Sequence, residues 1–355
     1  MASATELWEC GAAAYFSAEP GGDLGLRNFQ ESLLVDSSRA DRHIFVGCLH
    51  SGAGRSDEAE RCFRAAIEAE PREGDGYQQL VLLLEKHSRL EDAREVAAAA
   101  IAAGALWIDE WQRPPIFARG LRSQPWWERT EFAWAGELEE ACGSIKDEML
   151  GLMVSGSAAT ASPANWPPVG ASHAPQDAAI VAAGGDWREL VLFGAGAAPS
   201  VAPSTCHILE RMVPGAIEMA RLGIGEIIFS ALAPGTRLKP HCASHNMRLT
   251  CHLGLMCPDG AQLRVGSQWR EWQEGKCIFF DDSYEHEVIH SGTESRIVLL
   301  LRFWHPDLDE KERVSTFDAE VAQWQQSHGR RKMPPMRQNL AGQLESVFTD
   351  YDSPD

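Results

Sequence analysis

The spacing of apolar residues changes twice along the chain. Up to about residue 104, apolar positions recur every three or four residues, which is the period of an amphipathic helix. After residue 186, short apolar runs alternate with Gly, Pro and Asp, a pattern typical of β-strands joined by turns. The pattern therefore predicts an α+β protein of two domains, with the helices first and the strands second.

Three residues in the helical part repeat at a fixed distance. Ala59, Phe63 and Ala66 recur 34 residues later as three alanines. Their spacing of four and three places each set on one helical face, where small side chains allow helices to approach closely. This period resembles that of tetratricopeptide repeats. Residues 1–104 are therefore predicted to form a short array of paired helices, which serves either a protein or peptide contact or a purely structural support.

The remaining predicted boundaries follow changes in composition. Residues 105–154 hold a Trp-rich segment, WQRPPIFARGLRSQPWW, expected to pack against another domain as a brace, and then a helix. Residues 155–186 are rich in Ser, Ala, Pro and Gly, so a surface loop or insertion is expected. Residues 187–308 carry the strand pattern, and residues 309–355 are predicted to form a polar, partly helical tail. The apolar anchors of that tail are Val314, Phe317, Val321 and Trp324.

The strand region consists of WRELVLF, GEIIFSALAPG, MRLTCHLGLMCPDG, KCIFFDD, HEVIH and RIVLLLRFW. Short strands in this number, joined by turns, predict a sandwich or jelly roll. In MRLTCHLGLM, alternation places Arg248, Thr250 and His252 on one face. If that face is turned to the interior it must bind something, because a buried, unpaired cation or imidazole costs several kcal/mol.

Composition excludes several classes of function. Acidic residues outnumber basic ones by 51 to 32, and the net charge of -19 makes nucleic acid an unexpected partner. No basic segment followed by an apolar core opens the chain, and no apolar run reaches the length of a membrane span. A cytoplasmic location without a membrane span is therefore expected. The nine cysteines lack a CxxC pair and are interpreted as free thiols.

Histidine clustering is the main chemical signal, since six of the twelve histidines lie between residues 241 and 305. His241 follows a Pro-Gly turn, and His286 begins the run HEVIH. Two histidines on different strands of a jelly roll can share iron or zinc, although each alone is more often an ordinary hydrogen-bonded residue. Arg296 opens an apolar strand and requires a carboxylate, supplied either by a ligand or by an internal Asp or Glu.

Five segments in order resemble the aspartyl/asparaginyl β-hydroxylase family of iron(II)- and 2-oxoglutarate-dependent dioxygenases. They are GDWRELVLF, FSALAPGTRLKPH, NMRLTCHLGL, WREWQEGKCIFFDDSYEHEV and RIVLLLRFWHPDL. The repeat array and the Trp-rich segment are also similar, so the resemblance covers about residues 41–308. It implies a double-stranded β-helix, a cupin-like jelly roll, that hydroxylates the β-carbon of Asp or Asn in a protein or peptide substrate.

The resemblance implies that iron(II) is held by His241 and His286 alone. Ala243 stands where other oxygenases of this fold carry a carboxylate, and this absence is normal for the family. Asp282 and Glu285 are candidates for supporting the ligand histidines, although a solvated turn is the preferred interpretation for Glu285. No side chain is assigned a catalytic role of its own, because the metal and the co-substrate supply the reactivity.

The resemblance also assigns the co-substrate. Arg296, assisted by Ser230, is implied to bind the distal carboxylate of 2-oxoglutarate, and His252 the carboxylate nearer the iron. Thr250 is a departure, because the family usually has a second arginine at this position. The positions implied to contact the acidic substrate side chain are Arg188 and Arg248.

Two other functions remain open at this point. The Thr250 departure and the repeat array allow a non-catalytic protein-binding scaffold with a degenerate oxygenase domain. The metal preference of histidine pairs allows a zinc-using cupin with non-oxidative chemistry. Substrate identity and oligomeric state do not follow from the sequence.

Overall fold

The structure, a computed structural model, describes residues 2–15, 22–155, 162–171 and 177–325. The chain divides into two compact units, built mainly from Met1–Glu110 and from Trp111–Phe317. The first is helical and the second is a jelly roll, which confirms the predicted fold class. In the part of the chain that the structure describes, no helix has the length and apolar character needed to cross a bilayer.

The first unit is built from consecutive helices. They are α1 (Ala4–Tyr15), α2 (Gly22–Val35), α3 (Ala40–Gly52), α4 (Ser56–Ala69), α5 (Gly74–Lys86) and α6 (Leu90–Ala102). Neighbouring helices pack as the pairs α1/α2, α3/α4 and α5/α6. All six repeated positions predicted from the sequence are buried, at 1% exposure or less. The paired-helix prediction is confirmed, and α1 is an additional helix that the repeat did not reveal.

A close approach between α3 and α4 depends on Gly47. A Cβ atom at this position would lie 2.5 Å from Cε1 of Phe63 and 3.1 Å from Cβ of Cys62. Phe63 is only 1% exposed, so its ring has no free space into which to move. The glycine therefore sets the distance between the two helices.

Gly47→Ala is expected to lower the free energy of unfolding of the helical unit by about 1 to 3 kcal/mol, because it overpacks a filled interface. The matched control is Gly151→Ala, at an exposed helical position of α8 (Cys142–Ser155) where an added Cβ meets nothing within 4 Å. That change should stabilise by up to about 1 kcal/mol. Calorimetric unfolding measures both, and equal effects would contradict the interpretation.

The second unit contains two antiparallel sheets. The six-stranded sheet has the order β1-β8-β5-β10-β3-β2, and the four-stranded sheet has the order β4-β9-β6-β7. The strands are β1 (Trp126–Trp127), β2 (Trp187–Phe193), β3 (Ile227–Leu232), β4 (Arg237–His241), β5 (Arg248–Met256), β6 (Ala261–Val265), β7 (Gln268–Glu271), β8 (Cys277–Phe280), β9 (His286–His290) and β10 (Arg296–Trp304). Every predicted strand run contains one of these strands, whereas β1, β4, β6 and β7 were not among the predicted runs.

Helices accompany the sheets. Besides α8 they are α7 (Ala135–Glu140), α9 (Asp177–Ile180), α10 (Pro203–Met212), α11 (Pro214–Arg221) and α12 (Arg313–Gln325), with 3-10 turns at Arg129–Glu131, Pro163–Asn165 and Pro199–Val201. The helices α10 and α11 were not predicted, and each begins with a proline, which suits the first helical position. Parts of the predicted loop, 156–161 and 172–176, and of the predicted tail, 326–355, lie outside the described residues.

Alternation along the central strands separates two apolar clusters. Leu249, Leu253, Leu299 and Leu301 belong to a cluster that includes residues of α8, α10 and α11. The intervening positions, such as Leu300, face the four-stranded sheet, and we call this side the inner face. Thr250 and His252 therefore lie on the inner face, as the alternation in β5 predicted.

Candidate active site

His241 and His286 lie side by side on adjacent strands of the four-stranded sheet. They are register partners of β4 and β9, and their ring centroids are 4.1 Å apart. Nδ1 of His241 lies 2.8 Å from the carbonyl oxygen of Lys239, and Nδ1 of His286 lies 2.9 Å from that of Tyr284. Since a carbonyl only accepts hydrogen bonds, each Nδ1 carries the hydrogen. Each Nε2 therefore keeps its lone pair for a ligand.

Both imidazoles are neutral at pH 7. Burial, followed by the charge of the neighbouring His286, lowers the pKa of His241 to about 3, and burial also lowers the pKa of His286. Neutral imidazole is the form that binds metals. No cluster of three or more His, Cys, Asp and Glu able to hold a metal exists among the described residues. The assignment of His241 and His286 as metal ligands stays a prediction.

The histidine pair opens into a pocket of about 520 Å³, including its mouth, between the two sheets. Leu263 and Val288 of one sheet and Phe280 and Leu300 of the other provide apolar walls. The pocket brings together five of the predicted site residues: Ser230, His241, His252, His286 and Arg296.

Arg296 is a buried cation in this pocket, at 2% exposure. Its Nε and Nη1 have no hydrogen-bond partner among the described residues, and its guanidinium carbon lies 4.7 Å from the ring centroid of Trp272. Burial lowers its pKa to about 10, so it stays charged at pH 7. The internal Asp or Glu considered from the sequence is absent from the described residues around Arg296. A buried cation without a carboxylate favours an anionic ligand.

Two further polar groups of the pocket contact tryptophans. Nδ1 of His252 lies 3.1 Å from Nε1 of Trp272, and the buried Nε2 of His252 has no partner within the described part of the chain. Burial, followed by the charge of Arg296, lowers the pKa of His252 well below its usual range. Oγ of Ser230 lies 2.9 Å from Nε1 of Trp187.

Asp282 lines the pocket as an ionised carboxylate. Its Oδ2 lies 3.1 Å from Oγ1 of Thr250, 3.4 Å from Nη2 of Arg248 and 3.5 Å from Nε of Arg302. Burial acts to raise its pKa, but the guanidinium groups of Arg248 and Arg302 outweigh burial and lower it to about 2.

Arg302 is a pocket residue that the sequence analysis did not assign. It is the register partner of Thr250 on the neighbouring strand, and its Nη1 lies 2.7 Å from Oε1 of Glu226. A guanidinium group therefore lies across from the position where Thr250 departs from the family pattern. Its separation from Arg296 by an even number of strand residues was a usable signal, because such residues share a face.

The solvated turn preferred for Glu285 is wrong. This side chain is 1% exposed, and its oxygens lie 2.6 Å from Nη2 of Arg113 and 2.8 Å from Nη2 of Arg264. Arg264 also reaches Glu287 at 2.6 Å. Burial acts to raise the pKa of Glu285, but Arg113 and Arg264 outweigh burial and lower it. These ion pairs fix the backbone on both sides of His286.

The structure does not bring Arg188 or Arg248 into the pocket lining. Arg188 bonds to Asp186 at 2.6 Å and donates to the carbonyl oxygen of Trp166 at 3.0 Å. Arg248 is 1% exposed and donates to the carbonyl oxygen of Ile224 at 3.0 Å. Their assignment as substrate contacts stays a prediction.

The chain is similar in sequence to known proteins. Residues 139–306 match the sequence profile of the family described as aspartyl/asparaginyl beta-hydroxylase. This region is similar in sequence to that family. The chain is 34% identical over 213 residues to the aspartyl/asparaginyl beta-hydroxylase of Mus musculus, and 33% identical to that of Homo sapiens; each match covers 58% of this chain and 26% of the relative.

A shorter relative is aspartate beta-hydroxylase domain-containing protein 1 of Mus musculus, 38% identical over 136 residues, or 35% of this chain and 36% of the relative. The chain thus spans about a quarter to a third of the length of these relatives. The family resemblance predicted from the sequence is confirmed, and it places His241, His252, His286 and Arg296 within the matched region.

Stability of the metal-free protein is expected to fall as the pH is lowered from 7 to 5.5. His241, His245, His252 and His286 have lowered pKa values, so below about pH 6.5 the unfolded chain binds protons that the folded chain does not. Each histidine then contributes a loss of up to about 1.4 kcal/mol per pH unit. Burial raises the pKa of Asp281 to about 8, so over this interval the folded chain holds one proton that the unfolded chain lacks, and this offsets the effect of one histidine.

Urea unfolding at several pH values gives the number of protons bound on unfolding. His245→Gln, which replaces a buried histidine outside the pocket lining, should lower that number by about one relative to the wild type. A pH-independent free energy of unfolding over this interval would contradict the expectation.

Proposed function

We propose that this chain is an iron(II)- and 2-oxoglutarate-dependent dioxygenase that hydroxylates the β-carbon of Asp or Asn residues in a protein or peptide. The observation that carries the proposal is the presence, in one pocket, of two histidines with free Nε2 atoms and the uncompensated cation Arg296. The match of residues 139–306 to the sequence profile of a β-hydroxylase family supports the reaction type.

The residues present suit iron. His241 and His286 would hold it through Nε2, because hydrogen bonds to backbone carbonyls fix the hydrogen of each ring on Nδ1. The Glu285 and Glu287 ion pairs on either side of His286 keep this strand in place. Asp282 adds a negative charge to the pocket lining that favours a cation.

The pocket also suits 2-oxoglutarate. This co-substrate carries two carboxylates, and the pocket offers the guanidinium of Arg296, Nε2 of His252 and the hydroxyl of Ser230. A charged hydrogen bond to a carboxylate would relieve the buried cation. Arg302 keeps a guanidinium beside Thr250, so the departure at that position does not remove positive charge from this region.

When bound, iron and 2-oxoglutarate would supply the chemistry for inserting oxygen into a C–H bond, with molecular oxygen as the oxidant and 2-oxoglutarate as the source of two electrons. The protein holds and orients these groups, and the apolar walls formed by Leu263, Phe280, Val288 and Leu300 limit water around them. Substrates with an Asp or Asn side chain are proposed from the family, and Arg188 and Arg248 remain the proposed contacts for an acidic side chain.

The first test is an anaerobic titration of the metal-free protein with ferrous iron and 2-oxoglutarate, followed by visible absorption. The wild type should develop a charge-transfer band, and His286→Ala should not. His207→Ala, at an exposed position of α10, is the matched control and should behave as the wild type.

Oxygen and a library of peptides containing Asp or Asn are then added. The proposed activity yields succinate and a peptide one oxygen atom heavier. Folded wild-type protein that develops no band and makes no product would favour the scaffold alternative. Turnover of a peptide with zinc and without iron, without succinate and without oxygen from O2 in the product, would favour the non-oxidative cupin.

Arg296→Met is expected to change stability and ligand binding in opposite directions. It removes a buried, unpaired cation while keeping most of the side-chain volume, so the ligand-free protein should become more stable by about 1 to 3 kcal/mol. The dissociation constant of 2-oxoglutarate should rise at least about 30-fold, as expected when one partner of a buried charge pair is removed. Thermal unfolding and calorimetric binding measure the two effects. Arg221→Met, at an exposed arginine, is the control.

A further inference from the structure

Two tryptophans donate hydrogen bonds to groups that line the pocket. The indole N–H of Trp272 points at Nδ1 of His252, 3.1 Å away, and that of Trp187 points at Oγ of Ser230, 2.9 Å away. An indole N–H donates and cannot accept. Nδ1 of His252 must therefore be the acceptor, which leaves the ring hydrogen of the neutral imidazole on Nε2.

The same argument applies to Ser230. Its oxygen accepts the hydrogen bond of Trp187, so the hydroxyl hydrogen is not used in that contact. Both tryptophans thus have the same effect. Each donates to an acceptor atom of a pocket residue, so that the Nε2–H of His252 and the hydroxyl hydrogen of Ser230 stay available to donate to a ligand.

We propose that Trp272 and Trp187 are positioning residues that make His252 and Ser230 hydrogen-bond donors, so that the Arg296 region of the pocket selects a carboxylate. This inference rests on the proposed function and deepens it, because it names what sets the preference for an anionic co-substrate. Neutral ligands with only donors to offer would find no acceptor in His252.

Trp272 connects two of these groups. Its ring is nearly parallel to that of His252, at 17° with 5.9 Å between the centroids, and the guanidinium of Arg296 lies over it at 4.7 Å. Nε2 of His252 and Nε and Nη1 of Arg296 are all buried donors without a partner among the described residues. One indole therefore holds a set of uncompensated donors in place.

Burial alone does not force a tryptophan to pair in this protein. The buried indole N–H groups of Trp126, Trp127, Trp166 and Trp304 have no partner within the described part of the chain, and none of these residues lines the pocket. Asp282 is the acid in the pocket lining: its Oδ2 accepts from Thr250, and its buried Oδ1 has no partner among the described residues. Its charge is balanced by Arg248 and Arg302 and does not compensate Arg296. The tryptophan pairs at His252 and Ser230 thus coincide with the ligand-binding region.

The test uses calorimetry to compare 2-oxoglutarate binding by the wild type and by Trp272→Phe, with both proteins loaded with manganese(II). Phenylalanine keeps an aromatic ring beneath Arg296 and removes the indole N–H. We expect the dissociation constant to rise about tenfold. Trp187→Phe should raise it in the same direction. The matched control is Trp166→Phe. It removes an indole N–H that has no partner among the described residues, from the apolar cluster that includes residues of α8, α10 and α11, and it should leave the dissociation constant unchanged.

A double-mutant cycle separates positioning from packing. If Trp272 acts through His252, Trp272→Phe should change the dissociation constant less than about twofold in a His252→Leu background. An equal loss in both backgrounds would overturn the proposal, because Trp272 would then act through packing alone.

A second readout needs no ligand and no metal. In protein labelled with nitrogen-15 histidine, the His252 signals should show a hydrogen on Nε2 in the wild type and a mixture of tautomers in Trp272→Phe. A hydrogen on Nδ1 in the wild type would overturn the proposal even if 2-oxoglutarate binds. If the wild type binds no 2-oxoglutarate while the Nε2 hydrogen is present, the proposed function fails and the tryptophan–histidine arrangement stands.

Discussion

The two-residue alternation of the β-strands is the constraint on which the site depends. In the central strands β5 and β10 it directs leucines towards the helices and directs Thr250, His252 and Arg302 into the pocket. In β9 it directs His286 into the pocket, while Glu287 and the preceding residue Glu285 pair with arginines. A shift of one residue in the pairing of the central strands or of β9 would turn the polar side chains to the apolar core and the apolar side chains to the pocket. The packing of the core therefore also determines which side chains line the pocket.

Charges in the second unit fall into two classes with different physical consequences. Glu285 is compensated by Arg113 and Arg264, and these buried pairs hold the strand that carries His286. Arg296 is buried without a carboxylate partner among the described residues, which is unfavourable for folding unless a ligand provides the missing charge. The apolar cluster on the outer side of the six-stranded sheet supplies stability that offsets this cost. The result is a preformed pocket whose buried cation favours an anion.

The helical unit and the jelly roll show two different ways in which short side chains and polar groups serve packing. Gly47 and the buried alanines let α3 and α4 approach, which explains why a repeat of small residues is visible in the sequence. In the jelly roll, indole N–H groups of Trp272 and Trp187 take up acceptor sites on pocket residues, and this has no simple sequence pattern. The first feature is repetitive and local, and the second joins side chains from different strands and loops.

The sequence by itself determined the helix pairs α3/α4 and α5/α6, six of the strands, the polar face of β5 and the family resemblance of residues 139–306, because periodicity and ordered motifs are properties of neighbouring residues. The tertiary structure decided what each buried charge meets. Arg113 and Glu285 are 172 residues apart along the chain, and Trp272 and His252 are 20 residues apart. Such partners depend on how strands pair, so Glu285 was misjudged and the lack of an acid beside Arg296 could not be read from the chain. These partners could not be predicted because they are far apart along the chain. Alternation predicts the face on which a side chain lies, but only the folded sheets bring its partner to that face.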